Sequence, residues 1–236
     1  MKKTVIKKLS FVFALVMLVM SFPTAALAVD TSKELKPVYD VAILNATPVI
    51  SRADDGFYEV TLSDTKTVSE TRNETIMESS QLKFIGLSLD EAKAVSKNIN
   101  AAKGGGTLYD DGWFFGSSCY IYINVNFSTK SDTSFRTLCR INTVDIRCQT
   151  NSGTTITQKT LNTVCHGVSE EGFAHDAYET INVLAMPNPY TYTGMSANPY
   201  IYNTGILLGA SLTVTATRSS GDSATSAVVA NVFNNA

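Results

Sequence analysis

The chain has 236 residues, with 19 basic and 21 acidic side chains that give a formal net charge of −2 at pH 7. This balance is unsuited to nucleic acid or anionic lipid as the main partner, because both reward an excess of clustered cations. The length is enough to bury a hydrophobic core in one large domain or two small ones.

The first 28 residues have the three parts of a secretory signal peptide. Lysines between Lys2 and Lys8 precede the apolar run Phe11–Met20, and Ala26–Ala28 is a small-x-small cleavage site. A membrane span needs about 20 apolar residues, so an uncleaved anchor is the alternative. We predict cleavage near Ala28, secretion from a bacterium and no membrane anchor in the mature chain. Cleavage removes four lysines and no acid, which leaves 15 basic and 21 acidic residues.

Short strands are predicted between the cleavage site and residue 87. Val38–Ile50 alternates in part, Phe57–Leu62 alternates after the turn Asp54–Gly56, and Leu82–Leu87 is a short apolar run. Thr65–Ser80 is polar and rich in threonine, serine and glutamate, which fits either an exposed strand or a long loop.

One amphipathic helix is predicted over about residues 88–102. Ser88 and Glu91 form a capping box, in which each side chain accepts a hydrogen bond from the backbone amide of the other residue. The apolar residues of one face recur at helical spacing, namely Ala92, Val95, Ile99 and Ala102. Three glycines at 104–106 end the helix. Its stripe is narrow, so we expect it to lie on a sheet; a helix that binds a partner is the alternative.

The clearest strand is Cys119–Phe127, in which side chains of two kinds alternate. Cys119, Ile121, Ile123, Val125 and Phe127 share one face, and Tyr120, Tyr122, Asn124 and Asn126 share the other. This period of two predicts a core face and a wetter face.

From Thr107 onward the pattern predicts only strands and turns. The longer strands are Phe135–Gln149, Thr154–His166, Ala177–Met186, Ile206–Arg218 and Ala224–Phe233. The alternation slips near Asn142, which indicates a bulge or tight bend. Many short strands separated by turn signals are typical of an antiparallel β-sandwich. The predicted fold class is therefore mainly β, with one helix beside the sheets.

Three segments follow from this pattern. Residues 1–28 are the signal peptide, and residues 29–105 are N-terminal strands and the helix, packed on the main domain. Residues 106–236 are an antiparallel β domain stapled by disulfides.

Four cysteines in an exported chain predict two disulfides. If a hairpin is centred on the turn Asn151–Gly153, Cys139 and Cys165 lie directly opposite each other. The predicted pairs are then Cys139–Cys165 and Cys119–Cys148, out of three possible pairings. A zinc site and a reactive thiol are the alternatives, and the lack of a Cys-x-x-Cys motif speaks against zinc.

His166, His175 and Asp176 form the densest group of potential catalytic side chains, because both histidines of the chain lie there. Their spacing fits no standard zinc pattern, so no metal site is predicted. A secreted hydrolase that uses this region is one hypothesis, and an exposed polar loop after a strand is the other. Cys165 and His166 point to opposite faces of a strand and cannot form a dyad.

No established catalytic motif stands out. The chain has no Gly-x-Ser-x-Gly elbow, and its glycine triplet follows a helix rather than preceding one. A pair of carboxylates for glycoside hydrolysis forms no local sequence motif, because the two groups come together only in the folded chain. The first candidates for such a pair are Asp110, Asp111, Glu170 and Glu171. Solvated turns or calcium sites are the alternative reading of these acids. No cofactor is predicted.

Aromatic side chains give the main binding hypothesis. The segment Asn188–Tyr192 (Asn-Pro-Tyr-Thr-Tyr) recurs as Asn198–Tyr202 (Asn-Pro-Tyr-Ile-Tyr), and each copy places two tyrosines on one side of an extended stretch. We predict a binding surface for a sugar ring or a partner protein, formed by Tyr190, Tyr192, Tyr200 and Tyr202. Other aromatic residues either extend it or fill the core, namely Trp113, Phe114, Phe115, Tyr120 and Tyr122.

These features together predict a secreted bacterial β-sandwich protein without enzymatic activity that binds an extracellular protein or glycan. A secreted hydrolase acting through His166, His175 and Asp176 is the second hypothesis. A β-pore-forming toxin is the third, because strands rich in serine and threonine suit a hairpin that inserts into a bilayer.

Overall fold

The computed structural model describes residues 46–102, 119–150, 153–195, 198–203 and 207–232, all of which belong to one unit, Asp40–Ala236. Several predictions fall outside the described residues: the signal peptide, most of Val38–Ile50, the glycines at 104–106, the boundary at 105, the aromatic residues 113–115, and Asp110 and Asp111. Among the residues described, no helix is long and apolar enough to cross a membrane.

The described strands form two antiparallel sheets. Their bounds are β1 Val49–Arg52, β2 Tyr58–Glu70, β3 Thr75–Leu87, β4 Cys119–Ser131, β5 Thr137–Thr150, β6 Thr154–Val168, β7 Ala174–Asn182, β8 Tyr190–Tyr192, β9 Ile201–Tyr202, β10 Leu207–Arg218 and β11 Ser223–Asn231, and the helix α1 is Leu89–Ala102. Sheet A runs in the order β1-β2-β3-β4-β5-β8, with β9 also paired to β5, and sheet B in the order β11-β10-β6-β7. The predicted fold class is confirmed.

The core lies between the two sheets. The inner face of β4 carries the predicted apolar residues, of which Ile121, Ile123 and Val125 are fully buried. Strand β10 lies across from β4 and contributes Leu212 and Val214, which are also fully buried. The alternation read from the sequence therefore places the correct side chains in this core.

The slip predicted near Asn142 is a β-bulge. Asn126 pairs with Thr143 and Phe127 pairs with Ile141, so Asn142 has no partner in the ladder. Its side-chain amide instead donates to Asn126 Oδ1 at 2.8 Å and to Ser128 Oγ at 3.0 Å. The extra residue restores the inward direction of the apolar side chains on both sides of the bulge.

The helix covers the other face of sheet A. Its capping box is present, with Ser88 N donating to Glu91 Oε2 at 2.7 Å and Glu91 N donating to Ser88 Oγ at 3.3 Å. The buried side of the helix presents Ala92, Val95 and Ile99, and the helix contacts β1, β2 and β3. The prediction that it lies on a sheet is confirmed.

The prediction of a wetter face on β4 is wrong. Tyr120 is fully buried and Tyr122 is 8 % exposed. Tyr120 lies beside Phe84 in the neighbouring strand, with ring centroids 6.4 Å apart. The sequence pattern of such a strand does not distinguish a sheet covered on one face from a sheet covered on both, because tyrosine is compatible with either environment.

The two copies of the Asn-Pro-Tyr motif seal one edge of sheet A. Asn188 Nδ2 donates to the carbonyl of Cys148, and Asn198 Nδ2 donates to the carbonyl of Ile141. Each asparagine thus anchors a short strand, β8 or β9, along β5. The motif recurs because one long edge strand is capped twice, which protects its backbone groups from pairing with another chain.

Neither predicted disulfide is present, since all four cysteines are free and buried. The hairpin register used for Cys139 and Cys165 is wrong, because β5 belongs to sheet A and β6 to sheet B. Cys119 and Cys148 lie on neighbouring strands but two residues out of register, since Cys119 pairs with Thr150 and Cys148 pairs with Ile121. Such diagonal neighbours have Cα atoms about 7–8 Å apart, beyond the usual reach of a disulfide.

Replacement of Ile123 by alanine tests whether β4 is the centre of the core. We expect the free energy of unfolding in urea to fall by about 2–5 kcal/mol, because the buried side chain leaves a cavity. Thr213→Ala, on the outer face of sheet B, serves as the control and is expected to change it by less than about 0.5 kcal/mol. Equal losses in the two variants would contradict the packing described here.

Candidate functional site

Three turns meet at one end of the described structure. They join β2 to β3, β4 to β5, and β6 to β7, and together with Tyr202 they border a groove of about 730 Å³, here called the turn groove. Its described lining consists of Glu70, Thr71, Arg72, Asn73, Glu74, Thr75, Thr129, Lys130, Ser131, Asp132, Thr133, Arg136, Thr137, Glu170 and Tyr202. Three of these residues are basic and four are acidic, so charge is nearly balanced within it.

Tyr200 lies next to the turn groove and contacts two of its lining residues, Glu74 and Lys130. Its hydroxyl donates to Glu74 Oε1 at 2.5 Å, and its ring lies 4.1 Å from Lys130 Nζ and 4.6 Å from the guanidinium carbon of Arg140. Lys130 also forms an ion pair with Glu170 at 2.7 Å. Glu74, Lys130 and Arg140 therefore contact this one tyrosine, and Glu170 is held beside it through Lys130.

Arg136 and Tyr202 fix one wall of the turn groove. The guanidinium of Arg136 lies 4.1 Å from the ring centre of Tyr202 and donates to its hydroxyl at 2.9 Å. The same side chain forms an ion pair with Asp132 at 2.7 Å. Asp132 in turn accepts from the backbone amide of Ser134 at 2.8 Å, which holds its carboxylate inside the turn.

Both carboxylates that are held in this way are ionised at neutral pH. The hydrogen bond from Tyr200 is the main cause that lowers the pKa of Glu74, and Ser128, Arg140 and Lys130 add to it. Burial raises the pKa of Asp132, but hydrogen bonds from Arg136 and Ser134 outweigh it, so this pKa is also lowered. Neither group holds a proton to donate, so both act as fixed acceptors rather than as general acids.

The four tyrosines predicted as one binding surface occupy two places. Tyr202 lines the turn groove and Tyr200 contacts its lining residues, but cations already lie over both rings. Tyr190 and Tyr192 lie in β8, where they pack against the core between the sheets. Tyr192 donates to Glu179 of β7, so this copy of the motif links sheet A to sheet B. Burial and this hydrogen bond raise the pKa of Tyr192.

The structure does not bring the two histidines together. His166 pairs with Asp176 across β6 and β7, with Nδ1 3.1 Å from Oδ1, and both side chains are about half exposed. His175 is the next residue along β7 and points to the opposite face of the sheet. Within the described residues, no group of three or more histidines, cysteines, aspartates and glutamates could hold a metal ion.

Burial also sets the chemistry of the four thiols. It raises the pKa of Cys139 and Cys148 to about 12 and that of Cys165 to about 11. The pKa of Cys119 is raised too, first by burial and then by the nearby Cys148. Because the thiolate is the reactive form, these cysteines are inert at neutral pH.

Sequence reasoning missed most charged residues of the turn groove, and among the predicted acids that the structure describes, only Glu170 lies in it. Glu74 lies far from Lys130 and Arg136 in the chain, and none of the three belongs to a motif. One local signal could have pointed to Arg136, since an arginine four residues after Asp132 across a short turn is placed to pair with it. The rest depends on which turns share an end of the sandwich.

Comparison with known proteins finds no matching protein family, no matching curated protein and no matching solved structure. The site is therefore interpreted from its own geometry.

Replacement of Tyr200 by phenylalanine tests the hydrogen bond to Glu74. A carboxyl whose pKa is lowered by folding stabilises the native state above its unfolded pKa, and this contribution is lost as the pH falls through the folded pKa. Wild type should thus exceed Tyr200→Phe in stability at pH 7, and the difference should shrink below about pH 4.5. Urea midpoints measured from pH 7 to pH 3 check this, with Tyr202→Phe as a control whose difference stays constant.

The reactivity of the thiols tests their burial. We expect the native protein to react slowly with a thiol reagent at pH 8 and the rate to rise about tenfold per pH unit, because each pKa lies well above that range. In denaturant all four cysteines should react at once. Rapid labelling of any cysteine in the native protein at pH 8 would contradict the burial of that residue.

Proposed function

We propose that this chain is a secreted bacterial binding protein without enzymatic activity, and that its turn groove holds an extracellular glycan. One observation carries the proposal: charged donors and acceptors line the groove in fixed, mutually paired positions. Arg136 with Asp132 and Lys130 with Glu170 are pairs of this kind. Side chains that are held in place before a ligand arrives lose little conformational freedom on binding.

A glycan matches this arrangement because each sugar hydroxyl both donates and accepts a hydrogen bond. The exposed guanidinium of Arg136 offers N–H donors, and the half-exposed carboxylate of Glu170 offers acceptor oxygens, so both can bind sugar hydroxyls. Threonine hydroxyls add neutral partners along the lining. The near balance of three basic and four acidic residues gives no preference for a charged ligand. Stacking on Tyr200 and Tyr202 is not part of this mode, since cations occupy both rings.

Binding is favoured over catalysis by the kind of side chain in the groove. Its described lining contains no histidine and no cysteine. The lowered pKa values of Glu74 and Asp132 keep both carboxylates without a proton at neutral pH. Proton transfer in catalysis instead needs a group whose pKa lies near the working pH.

The two other hypotheses have less support. A hydrolase would have to work with His166 and Asp176 alone, because His175 points to the opposite face of the sheet. A pore-forming toxin could use the long hairpin of β2 and β3, but β3 is also paired with β4 over eleven residue pairs. Insertion of that hairpin would separate this ladder and expose the central strand.

A glycan array probed with the exported protein tests the proposal. We expect binding to a limited set of glycans and about a 10- to 100-fold loss of affinity in Arg136→Gln, because charge-assisted hydrogen bonds are lost. His166→Ala, outside the groove, is the matched control and should bind like wild type. The urea midpoint of each variant verifies folding. If no glycan is retained, or if Arg136→Gln binds like wild type, the proposal is wrong, and a segment of an extracellular protein becomes the ligand to test.

A further inference from the structure

Four of the hairpin turns in the described structure share one geometry. In each five-residue segment, the amide of the first residue donates to the carbonyl of the fifth, and the amide of the fourth donates to the carbonyl of the first. The segments are Ala53–Phe57, Asp132–Arg136, Ser169–Phe173 and Arg218–Asp222, and their eight backbone hydrogen bonds are between 2.8 and 3.1 Å long. This is a three-residue hairpin loop whose last loop residue takes the left-handed conformation. That position therefore calls for a residue that tolerates a positive φ.

Three of the four turns place glycine at this position, and one places phenylalanine. Gly56, Gly172 and Gly221 have φ values of 87°, 84° and 94°, and Phe135 has a φ of 61°. A side chain in this region clashes with its own backbone, whereas glycine does not. Relative to glycine, phenylalanine lowers the ratio of folded to unfolded protein by about 5- to 30-fold. The chain itself shows that glycine fits this turn.

Among the residues that the structure describes, no packing of the Phe135 side chain offsets this strain. Phe135 is 92 % exposed, the largest value among the exposed large apolar side chains. A second phenylalanine, Phe173, is 69 % exposed on the turn between β6 and β7. Both turns border the turn groove, through Asp132 and Arg136 on one side and Glu170 on the other. One end of the sandwich therefore carries two protruding aromatic rings on separate turns.

We propose that these two turns dock the protein onto the interface of a zwitterionic phospholipid bilayer, with Phe135 as the main anchor and Phe173 as the second. The proposal is independent of the glycan assigned to the groove. A strained, exposed phenylalanine in place of glycine is expected where the side chain contacts a partner in the working state of the protein. Aromatic rings at the tips of rigid turns reach the boundary between headgroups and acyl chains without any change in the fold.

The shape of this surface favours a bilayer over a protein partner. Protein interfaces place their apolar anchors within a contiguous, well-packed patch that excludes water. Here the two rings lie on separate convex turns beside a polar groove, and a deformable interface accepts single rings of that kind. The two charged residues of the Phe135 turn are paired with each other, Asp132 with Arg136, and Lys130 is paired with Glu170 of the Phe173 turn. The docking therefore needs no anionic lipid, and two rings give weak, reversible binding.

Co-sedimentation with vesicles of pure phosphatidylcholine tests the proposal, with the protein as the cell releases it. We expect a measurable bound fraction for wild type and about a tenfold lower partition coefficient for Phe135→Gly, because one apolar side chain is no longer buried. The urea midpoint of Phe135→Gly should be at least as high as that of wild type, since the strain is relieved. Phe173→Ser should also weaken binding. A loss of binding without a loss of stability separates docking from unfolding.

A composition-matched control places the phenylalanine elsewhere. The double variant Phe135→Gly with Gly221→Phe carries the ring in the same kind of turn at the other end of the strands, and it should bind as weakly as Phe135→Gly. Recovery of binding in this variant would overturn the proposal, because any exposed ring would then suffice.

The remaining outcomes are equally decisive. Binding to vesicles of equal parts phosphatidylcholine and phosphatidylserine should be as strong as binding to pure phosphatidylcholine, and it should not change with salt concentration. Binding only to the anionic vesicles, abolished by salt, would assign it to basic residues and overturn the proposal. Release of a trapped dye would overturn peripheral docking in favour of a pore. If the wild-type protein binds neither kind of vesicle, the proposal is also overturned, and a protein partner becomes the ligand to test for Phe135.

Discussion

The burial of both faces of β4 is the constraint on which the rest of the structure depends. One face carries Ile121, Ile123 and Val125 into the core between the sheets, and the other carries the buried Tyr120 on the side of sheet A where α1 packs against β1, β2 and β3. A strand whose two faces are apolar or aromatic must lie inside a sheet that is covered on both sides. Sheet B covers one side of sheet A, and the helix contributes to the cover of the other side. Exposed polar and charged side chains can therefore gather at the strand ends.

The edge of sheet A explains why the turn groove has fixed walls. The second copy of the Asn-Pro-Tyr motif pairs with β5 through Ile201, and the residue before it, Tyr200, accepts at its carbonyl from the amide of Glu170. The strand that seals the edge thus also carries Tyr202 to the groove and places Tyr200 beside the lining residues Glu74 and Lys130. The tyrosines that seemed suited to stack on a ligand instead hold Lys130 and Arg136 in position. A motif that protects an edge from aggregation also orders the charges beside it.

Local patterns were predicted well and pairings between distant strands were not. The capping box of Ser88 and Glu91 and the bulge at Asn142 follow from a few neighbouring residues, and both are present. The disulfide between Cys139 and Cys165 rested on the assumption that β5 and β6 form a hairpin, but β5 belongs to sheet A and β6 to sheet B. A turn signal shows that the chain reverses direction, and it does not show which sheet the next strand joins.

The sequence by itself determined the class of the protein, because strand alternation, turn residues and helix caps are properties of adjacent residues. Those patterns were sufficient for a mainly β fold of antiparallel sheets with one helix and for the face of β4 that enters the core. Only the tertiary structure decided what lies at the strand ends. Glu74, Lys130, Arg136 and Glu170 come from three different turns and meet only because sheet order brings those turns to one end. Nothing in the sequence distinguishes Phe135. Its unusual position is recognised only from its exposure and from its positive φ, which glycine adopts at the same position of three other turns.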